Sequence, residues 1–351
     1  GRGMEIVYDH NDLKTYVAKA ALVSGNHPIL IDDFLEDAFE FDVDALCDGT
    51  EVYIAGIMQH IEEAGIHSGD SSCVLPAYEL SVSDRNIIEQ HTKDLALALN
   101  TIGLINIQFA IKDNQVSVLE VNPRASRTIP FVSKVTDIPL AKIAAQLAVN
   151  HKLKDYNLNN STNGLIAVKK PVFPFNKFPD QSIFLSPEMK STGEVIGLDT
   201  HLGSAYAKAE LGAGNSLPME GNIFISVNDG DKMKVIPIAR DFHELGYHII
   251  ATEGTYKLLT QNGINCNMIS KVGEARPNVV DYIKNGDIQF IINTPLGQKS
   301  RYDEYEIGKS SIRYNISATT TISGAQAALR AIRRIKNNTM SYRSLQDIFK
   351  G

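Results

Sequence analysis

Cysteine, basic charge and long apolar runs are all scarce in this sequence, and each scarcity narrows the class of protein. Three cysteines occur in 351 residues and none has the Cys-x-x-Cys spacing, so we expect a reducing compartment with neither a disulfide framework nor a zinc site. The formal net charge is −7, which argues against a nucleic-acid-binding surface because such surfaces need a basic excess. The sequence has no run of about 18 apolar residues and no signal-peptide pattern, so we expect a cytoplasmic protein with no membrane partner.

The composition is otherwise that of an ordinary globular protein. Hydrophobic residues make up 43% of the chain and charged residues 21%, which provides enough apolar material for two cores in domains of about 100–200 residues. The chain begins at Gly1 rather than at a methionine. We therefore expect a fragment of a longer protein.

Short alternating segments dominate the first 150 residues and predict a hairpin-rich α+β domain. Residues 39–46 alternate apolar and acidic side chains, which predicts a half-buried strand whose carboxylates face outward. Gly49 and Thr50 offer the turn into a partner strand at 51–58. Further predicted elements are strands at 28–31, 105–111 and 116–121, and helices at 12–24, at 85–100 with Ser83 or Asp84 as its cap, and at 139–150.

From about residue 221, short apolar strands alternate with helices. This alternation indicates a parallel sheet in a three-layer α/β sandwich. Residues 151–214 contain strand-like pieces without a helix pattern, and we predict a connector that packs on residues 1–150, with the second domain at 215–351. The predicted strands of the second domain lie at 223–227, 247–251, 267–269 and 288–292, and its helices end near 245, begin near 254, and span 277–284 and 323–335.

Three oxygen-bearing side chains meet on the second predicted hairpin of the first domain. Glu120 and Asn122 are two residues apart and share one face of their strand, and Gln108 can lie opposite them. Such oxygen ligands suit magnesium beside substrate phosphates. Arg124 and Arg127 follow closely and could brace phosphoryl oxygens. The alternative is a solvated polar face on an ordinary hairpin, and the residues alone favour neither interpretation.

Four segments of the chain resemble carbamoyl-phosphate synthetase large subunits. The resemblance to the metal-binding strand of that family lies in LEVNPRASRT at 119–128 and PFVSK at 130–134. Further family segments are AGIHSGDS at 64–71, PFNKF at 174–178 and SPEMKSTGEV at 186–195. The resemblance runs in register over nearly the whole chain. It implies the later part of the second ATP-grasp domain, followed by a methylglyoxal-synthase-like regulatory domain.

The resemblance also implies an activity, cofactors and partners. The implied reaction is ATP-dependent phosphorylation of carbamate, formed from bicarbonate and glutamine-derived ammonia, to carbamoyl phosphate for pyrimidine and arginine biosynthesis. ATP and Mg²⁺ or Mn²⁺ are the implied cofactors, with K⁺ as a further cation. A glutamine amidotransferase small subunit is the implied partner, and homo-oligomers are an additional option. The family's glycine-rich phosphate-covering loop is expected upstream of Gly1, so we expect this chain alone to bind ATP poorly and to catalyse little.

Carried over residue by residue, the resemblance implies a nucleotide site. Gln108, Glu120 and Asn122 would ligate the metal, whereas Arg124 and Arg127 would hold the carbamate or the transferring phosphoryl group. The implied ATP-binding positions are Asp33, Leu35, Glu40, Gly65, Ile66, His67, Ser68, Gln108 and Glu120. Asp33 stands where relatives carry a histidine. The alternative for His67 is a hydrogen bond within its own loop.

A second group of polar residues lies at the predicted carboxyl ends of the later strands, where open α/β sheets bind ligands. Helix N-termini at that edge favour phosphate, but spacing alone favours the alternative that the threonines are helix caps beside solvated lysines. The resemblance implies an allosteric nucleotide site, with UMP as the expected effector, at Lys232, Thr252, Thr255, Lys271 and Asn293. Pro295 replaces a threonine of some relatives, and Lys170 stands where ornithine-activated enzymes carry a carboxylate.

Three other functions stay open at this point. A methylglyoxal synthase needs an aspartate in a Gly-Gly-Asp setting, which Val272-Gly273-Glu274-Ala275-Arg276 does not supply. Another ATP-grasp ligase, such as a biotin carboxylase, would lack the C-terminal effector domain. The isolated chain could also be only a module for effector binding and oligomerisation, without turnover.

Overall fold

The structure is a computed structural model, and it describes residues 4, 6–7, 9–25, 27–36, 38–159, 162, 164–175, 185, 188–294, 298–337 and 340–349. Within those residues, seven strands form a first sheet in which all neighbours run antiparallel. The strands are β1 (Phe39–Asp48), β2 (Val52–His60), β3 (Cys73–Leu75), β4 (Ile102–Lys112), β5 (Gln115–Asn122), β6 (Ile166–Val172) and β7 (Gly193–Asp199). Their order across the sheet is β5-β4-β1-β2-β3-β6-β7, so the two predicted hairpins lie side by side.

Helices pack on both faces of the first sheet because alternate residues of its strands point to opposite sides. On one face, Val43 and Ile107 pack with Ile88. On the other face, Met58 packs with Phe131 and its neighbours. The helices of this half are α1 (His10–Ser24), α2 (Val82–Ala98), α3 (Ile129–Thr136), α4 (Leu140–Leu147) and, within the connector, α5 (Leu202–Gly212).

A second, parallel sheet occupies the C-terminal part of the chain. Its strands are β8 (Asn222–Val227), β9 (His248–Thr252), β10 (Cys266–Ile269), β11 (Phe290–Thr294) and β12 (Ser317–Thr319), in the order β10-β9-β8-β11-β12. The helices are α6 (Lys232–Glu244), α7 (Glu253–Gln261), α8 (Val279–Asn285), α9 (Gln298–Arg313), α10 (Ile322–Lys336) and α11 (Leu345–Phe349). Ile223 and Phe242 belong to the core on one face, whereas Phe224 and Ile283 belong to the core on the other. The three-layer sandwich with a parallel sheet is therefore confirmed.

The connector joins the two halves through a shared core. Its strands β6 and β7 extend the first sheet, and its helix α5 packs on α10 of the C-terminal part. A Cβ atom on Gly203 would lie 2.6 Å from the carbonyl oxygen of Arg330, so the two helix backbones approach as closely as glycine permits. Tyr206 and Val168 share one hydrophobic cluster with Ile223. Helix α5 of the connector is thus packed between β6 and β7 of the first sheet and α10 of the C-terminal part.

Several sequence expectations need correction. Asp42 and Asp44 are only 1% and 0% exposed, so the carboxylates of β1 do not face solvent; they pair with polar groups of neighbouring segments. Residues 28–31 are described by the structure but form no strand. The cap of α2 is Ser81, whose hydroxyl accepts the N–H of Asp84, and not Ser83 or Asp84.

Among the described helices, four were not predicted from the sequence: α3, α5, α9 and α11. The connector contains α5 although its sequence shows no helix pattern, because α5 is buried on nearly all sides. The helix α9 carries mostly polar side chains and contributes Ile307 to the core. Among the described residues, no helix is both long enough and apolar enough to cross a membrane.

Candidate functional site

The predicted oxygen ligands come together on adjacent strands of the first sheet. In the antiparallel register of β4 and β5, Gln108 lies opposite Glu120 and Asn106 lies opposite Asn122. Directly opposed residues point to the same face, which confirms that Gln108 and Glu120 meet across the hairpin. Arg124 donates from Nη2 to Oδ1 of Asn122 at 3.0 Å. The site is therefore a row of oxygen atoms with a guanidinium at its end.

A loop at residues 65–71 lies over this row and contains the predicted nucleotide positions. The side-chain amide of Gln108 donates to the hydroxyl oxygen of Ser68 at 3.0 Å, and the N–H of Gly65 donates to Oε1 of Glu40 at 3.0 Å. Gly65 has φ +89°, and a Cβ there would meet the ring of Phe34 at 2.8 Å. Only glycine fits at this position without strain. The loop lies between β2 and β3 in the chain, and its hydrogen bonds to Glu40 of β1 and Gln108 of β4 hold it over the polar face.

His67 is half-buried and makes a hydrogen bond within its own loop. Its Nδ1 accepts the N–H of Gly69 at 3.0 Å, which places the proton of the neutral ring on Nε2. Burial lowers the pKa of His67, and the positive charge of Arg127 acts in the same direction while Asp70 opposes it. The neutral ring is therefore favoured, and its Nε2–H remains a donor for a phosphate or hydroxyl oxygen. This geometry agrees with the loop hydrogen bond expected as the alternative for His67.

The outer predicted positions are more open. Asp33, Arg124 and Arg127 are exposed, while Leu35 is partly buried against a small cluster that contains Ala38. Ile66 is buried. Glu120 is exposed and Gln108 is half-buried, so the row of oxygen atoms opens to solvent at β5. A ligand would therefore approach from the β5 side.

A histidine that the sequence did not single out lies beneath the site. His60 is buried with Nε2 3.0 Å from Oδ2 of Asp42 and Nδ1 3.2 Å from Oε2 of Glu40. Burial alone lowers the pKa of His60, but Cys73, Asp42 and Glu40 outweigh it and hold the pKa well above its usual value. An imidazolium between two carboxylates fixes the orientation of Glu40. The hairpin of β1 and β2 brings these residues together, since Phe41 pairs with Gln59 and His60 is the last residue of β2.

The same cluster also has the donor types of a metal site. Ligand atoms of Asp42, His60 and Cys73 lie within 4.8 Å of one another. The two carboxylates face the protonated ring as an ion-pair network, in which Nδ1 of His60 and Oδ1 of Asp42 make no hydrogen bond among the described residues.

Asp44 anchors the turn that follows β5. Its carboxylate accepts hydrogen bonds from Asn106 at 3.0 Å, from Ser126 at 2.7 Å and from Thr128 at 2.5 Å. Burial raises the pKa of Asp44 to about 6, although the hydrogen bonds from Thr128 and Ser126 oppose this rise. Residues 124–127 are thereby fixed relative to the oxygen row. This sets the backbone positions from which the side chains of Arg124 and Arg127 extend.

The predicted effector residues lie at the carboxyl edge of the second sheet. Thr252 is at the N-cap position of α7, and its hydroxyl donates to Ser226 at 3.0 Å. The hydroxyl of Thr255 accepts the N–H of Val227 at 3.3 Å. Thr252 occupies the cap position but uses its hydroxyl across the sheet, so the alternative of simple capping does not describe it.

Two lysines flank that edge, and Asn293 lies at the same edge, where it pairs with Ser226, the residue that accepts the hydroxyl of Thr252. Lys232 pairs with Asp229 at 2.5 Å, and its Nζ would be 3.6 Å from a Cβ on Gly254. The pKa of Asp229 is lowered mainly by the hydrogen bond and charge of Lys232, and the positive charge of Lys271 adds to this lowering. Asn293 lines a cavity of about 420 Å³ between the connector and the C-terminal part, together with Lys170, Tyr206 and Glu210. Pro295 lies outside the described residues, as do 176–178 and 186–187 of the family segments.

Comparison with known proteins gives matches over nearly the whole chain. Residues 1–156 match the family "Carbamoyl-phosphate synthase L chain, ATP binding domain", and residues 234–320 match the "MGS-like domain". The carbamoyl phosphate synthase large chain of Archaeoglobus fulgidus is 54% identical over 349 residues, which are 99% of this chain and 32% of that protein. That of Methanosphaerula palustris is 50% identical over 341 residues, or 97% of this chain and 32% of that protein.

Among solved structures, a biotin carboxylase domain of a single-chain bacterial carboxylase aligns with a TM-score of 0.45 and 15% identity, covering 59% of this chain and 52% of that chain. This overlap is too low to assign a fold. The chain spans about a third of the length of the curated relatives it matches. With about half of its residues identical over nearly its whole length, the chain is a homologue of the carbamoyl phosphate synthase large chain and contains the ATP-binding domain of that family followed by an MGS-like domain.

Proposed function

We propose that this chain forms the later part of a site that transfers a phosphoryl group from ATP to carbamate, giving carbamoyl phosphate and ADP. The observation that carries the proposal is the register of β4 and β5, which sets Gln108 opposite Glu120 with Asn122 on the same face. Carbamate would come from bicarbonate and from ammonia released by a glutamine amidotransferase subunit. The product would serve pyrimidine and arginine biosynthesis in the cytoplasm.

The donor set fits a hard divalent cation. Gln108, Glu120 and Asn122 present carboxylate and amide oxygens, which are the ligands of magnesium and manganese. When bound, such an ion neutralises charge on the phosphate oxygens of the nucleotide. Glu40 is oriented by His60 and accepts the N–H of Gly65, and its remaining acceptor capacity suits a ribose hydroxyl.

The guanidinium groups of Arg124 and Arg127 supply positive charge where the phosphoryl group would be transferred. Arg124 reaches Asn122, and Arg127 follows in the turn that Asp44 anchors. Phosphoryl transfer requires positioning and charge neutralisation more than a covalent catalyst. The site accordingly needs neither a nucleophile nor a general base, and we propose that Arg124 and Arg127 hold the carbamate and the transferring group.

The reverse half-reaction gives a direct test on this chain. Carbamoyl phosphate and MgADP should yield ATP at a low rate, because the phosphate-covering loop is expected upstream of Gly1, and luciferase detects such small amounts. The rate should fall at least about tenfold in Glu120→Gln, since one lost charge contact corresponds to about 1.4 kcal/mol or more. Glu51→Gln is the matched control, because Glu51 is also exposed but lies in the β1–β2 turn. ATP formation at equal rates in the wild type and Glu120→Gln would refute the assignment of Glu120.

We propose further that the MGS-like domain binds a nucleotide monophosphate, with UMP as the preferred effector. The supporting geometry is the carboxyl edge of the second sheet, where Thr252 and Lys232 flank the start of α7. Calorimetric titration with UMP should show saturable heat that Lys271→Ala weakens and Lys284→Ala, an exposed lysine of α8, leaves unchanged. Absence of heat with folded protein would exclude UMP. Heat without ATP formation would instead favour an effector-binding module that lacks turnover.

A further inference from the structure

Strand β6 places two adjacent lysines on opposite faces of the first sheet, Lys169 buried and Lys170 half-buried. Lys169 is 0% exposed, and its Nζ donates to the carbonyl oxygen of Ser68 at 2.8 Å. Lys170 pairs with Glu210 at 2.8 Å on the side of the interdomain cavity. Successive residues of a strand point to opposite faces, so Lys169 reaches the loop at 65–71 while Lys170 turns away from it.

The connector holds the same loop at further points. The two carboxylate oxygens of Asp70 accept the main-chain N–H groups of Lys190 and Ser191, each at 2.8 Å. The hydroxyl of Ser191 donates to the carbonyl oxygen of Gly69 at 3.0 Å. Both Asp70 and Ser191 are buried. Together with the bond from Lys169 to Ser68, these contacts form a clamp between the connector and the loop, named here the loop clamp.

The Lys169 bond supplies the positive charge of the loop clamp, beside the carboxylate of Asp70, and it acts next to the oxygen row. Ser68 gives its carbonyl to Lys169 and its hydroxyl oxygen to the amide of Gln108. Hydrogen bonds to a charged donor are roughly twice as strong as neutral ones. A buried ammonium that lost its acceptor would also retain its desolvation penalty. The loop carbonyl at Ser68 is therefore held firmly in place.

Further positive charge gathers near this lysine. Burial raises the pKa of Glu194, while Lys169, Lys134 and Arg127 oppose that rise. Lys169 and Arg127 therefore act on one carboxylate, from the connector and from the turn after β5 respectively. The positive charge of Lys169 thus acts on the same carboxylate as Arg127, which is one of the two arginines proposed to hold the transferring phosphoryl group.

We propose that Lys169 is a positioning residue of the nucleotide site, which fixes the loop at 65–71 so that Ser68 keeps its hydrogen bond to Gln108. The connector then does more than join two domains, since it sets the shape of the loop that covers the proposed metal ligands. This inference rests on the proposed function, because the role of the loop in nucleotide binding is itself proposed.

Hydrogen exchange followed by mass spectrometry tests the loop clamp in the chain as it stands, without a ligand. The loop contains amides with defined acceptors, those of Gly65, Gly69 and Asp70. Lys169→Met should speed exchange in peptides covering 65–71 by about tenfold, the effect of losing about 1.4 kcal/mol of local stability. Lys170→Met is the matched control, because it removes the neighbouring, half-buried ammonium from the opposite face. It should leave exchange at 65–71 within about twofold of the wild type.

Two outcomes would overturn the proposal. Unchanged exchange at 65–71 in Lys169→Met would show that the bond does not fix the loop. Equal acceleration in Lys169→Met and Lys170→Met would show that the lysine is only part of the general packing. Ser191→Ala removes one neutral bond of the loop clamp and should give a smaller acceleration confined to the same peptides, which keeps the test open where Lys169→Met does not fold.

A ligand readout separates positioning from stability. Lys169→Met should weaken MgADP binding at least about fivefold, and Lys169→Arg, which retains a charged donor, should restore most of it. Failure of Lys169→Arg to restore binding above the level of Lys169→Met would contradict a positioning role. A wild-type chain that binds no MgADP would count against the proposed function, whereas the exchange comparison would still decide whether the loop clamp exists.

Discussion

The buried carboxylate of Asp44 should make the stability of the first domain depend on pH in an unusual direction. Burial raises the pKa of Asp44 from 3.8 to about 6, against the opposing hydrogen bonds from Thr128, Ser126 and Asn106. The folded state therefore binds this proton more tightly than the unfolded state. The resulting stabilisation is complete below about pH 4 and is lost as the pH rises through about 6.

The size of the effect follows from the pKa difference. A rise of about two pKa units corresponds to about 3 kcal/mol, at about 1.4 kcal/mol per unit. Asp44 is 0% exposed, so solvent screening does not reduce this value. Asp44→Asn cannot ionise, and its one amide oxygen can still accept from Asn106 and Ser126, which share Oδ1, whereas the acceptor of Thr128 at Oδ2 is lost. That loss is the same at every pH, so it shifts the whole curve and not its pH dependence. The variant should therefore gain about 3 kcal/mol relative to the wild type between about pH 4 and pH 7.5.

Urea unfolding followed by circular dichroism at several pH values measures this difference. The informative quantity is the free energy of unfolding of Asp44→Asn minus that of the wild type, because other titrating groups then cancel. Asp281→Asn is a control of opposite sign, since Arg276 holds the pKa of Asp281 down at about 2. The stabilisation of Asp281 is lost only as the pH falls through about 2, so its difference should be flat above about pH 4. A flat or falling difference for Asp44→Asn would refute the reasoning.

Two further predictions concern the packing of the connector. Gly203→Ala should destabilise the chain by about 1–2 kcal/mol, because the 2.6 Å approach of the new Cβ to Arg330 outweighs a helix-propensity gain of about 1 kcal/mol. Gly254→Ala is the control and should stabilise the chain slightly, since the nearest atom to its Cβ is 3.6 Å away. Equal effects of the two substitutions on the free energy of unfolding in urea would contradict this prediction. Lys170→Met should cost about 1–3 kcal/mol, because Glu210 loses its half-buried ion-pair partner but keeps the hydrogen bond from the amide of Asn215. Adding Glu210→Gln should recover part of that loss, and strictly additive losses would exclude the ion pair as the cause.

The second hairpin shows what local sequence can specify. The strands β4 and β5, the turn between them, and the opposition of Gln108 and Glu120 all follow from alternation and turn residues, and the structure confirms them. Period-two patterns and short turns are local signals, so one sequence suffices to recognise them. The alternation of strands and helices after residue 221 is confirmed for the same reason.

The carboxylates of β1 show where local reasoning fails. Alternation correctly placed Asp42 and Asp44 on one face, but it could not show that the face is covered. The groups that cover it, such as His60 and Thr128, lie 18 and 84 residues away from their partners in sequence. Polar residues normally indicate solvent unless partners are supplied by the fold. The burial of this row is therefore a tertiary property.

The connector was the least predictable region. Helix α5 is rich in alanine and buried on nearly all sides, so it lacks the one-sided apolar pattern that identifies a surface helix. The bond between Lys169 and Ser68 spans 101 residues, and a lysine in a strand normally indicates an exposed position. The metal and effector residues themselves remain predictions, because their positions suit ligands but do not demonstrate binding.

The central claim is that Gln108, Glu120 and Asn122 hold a divalent cation with a nucleotide, and binding of Mn²⁺ in the presence of ADP tests it most directly. Electron paramagnetic resonance counts free Mn²⁺, and a saturable, ADP-dependent site should appear in the wild-type chain. That site should weaken at least about tenfold in Glu120→Gln but remain unchanged in Glu51→Gln. A wild-type chain without such a site, or a Glu120→Gln variant that binds as tightly as the wild type, would contradict the account.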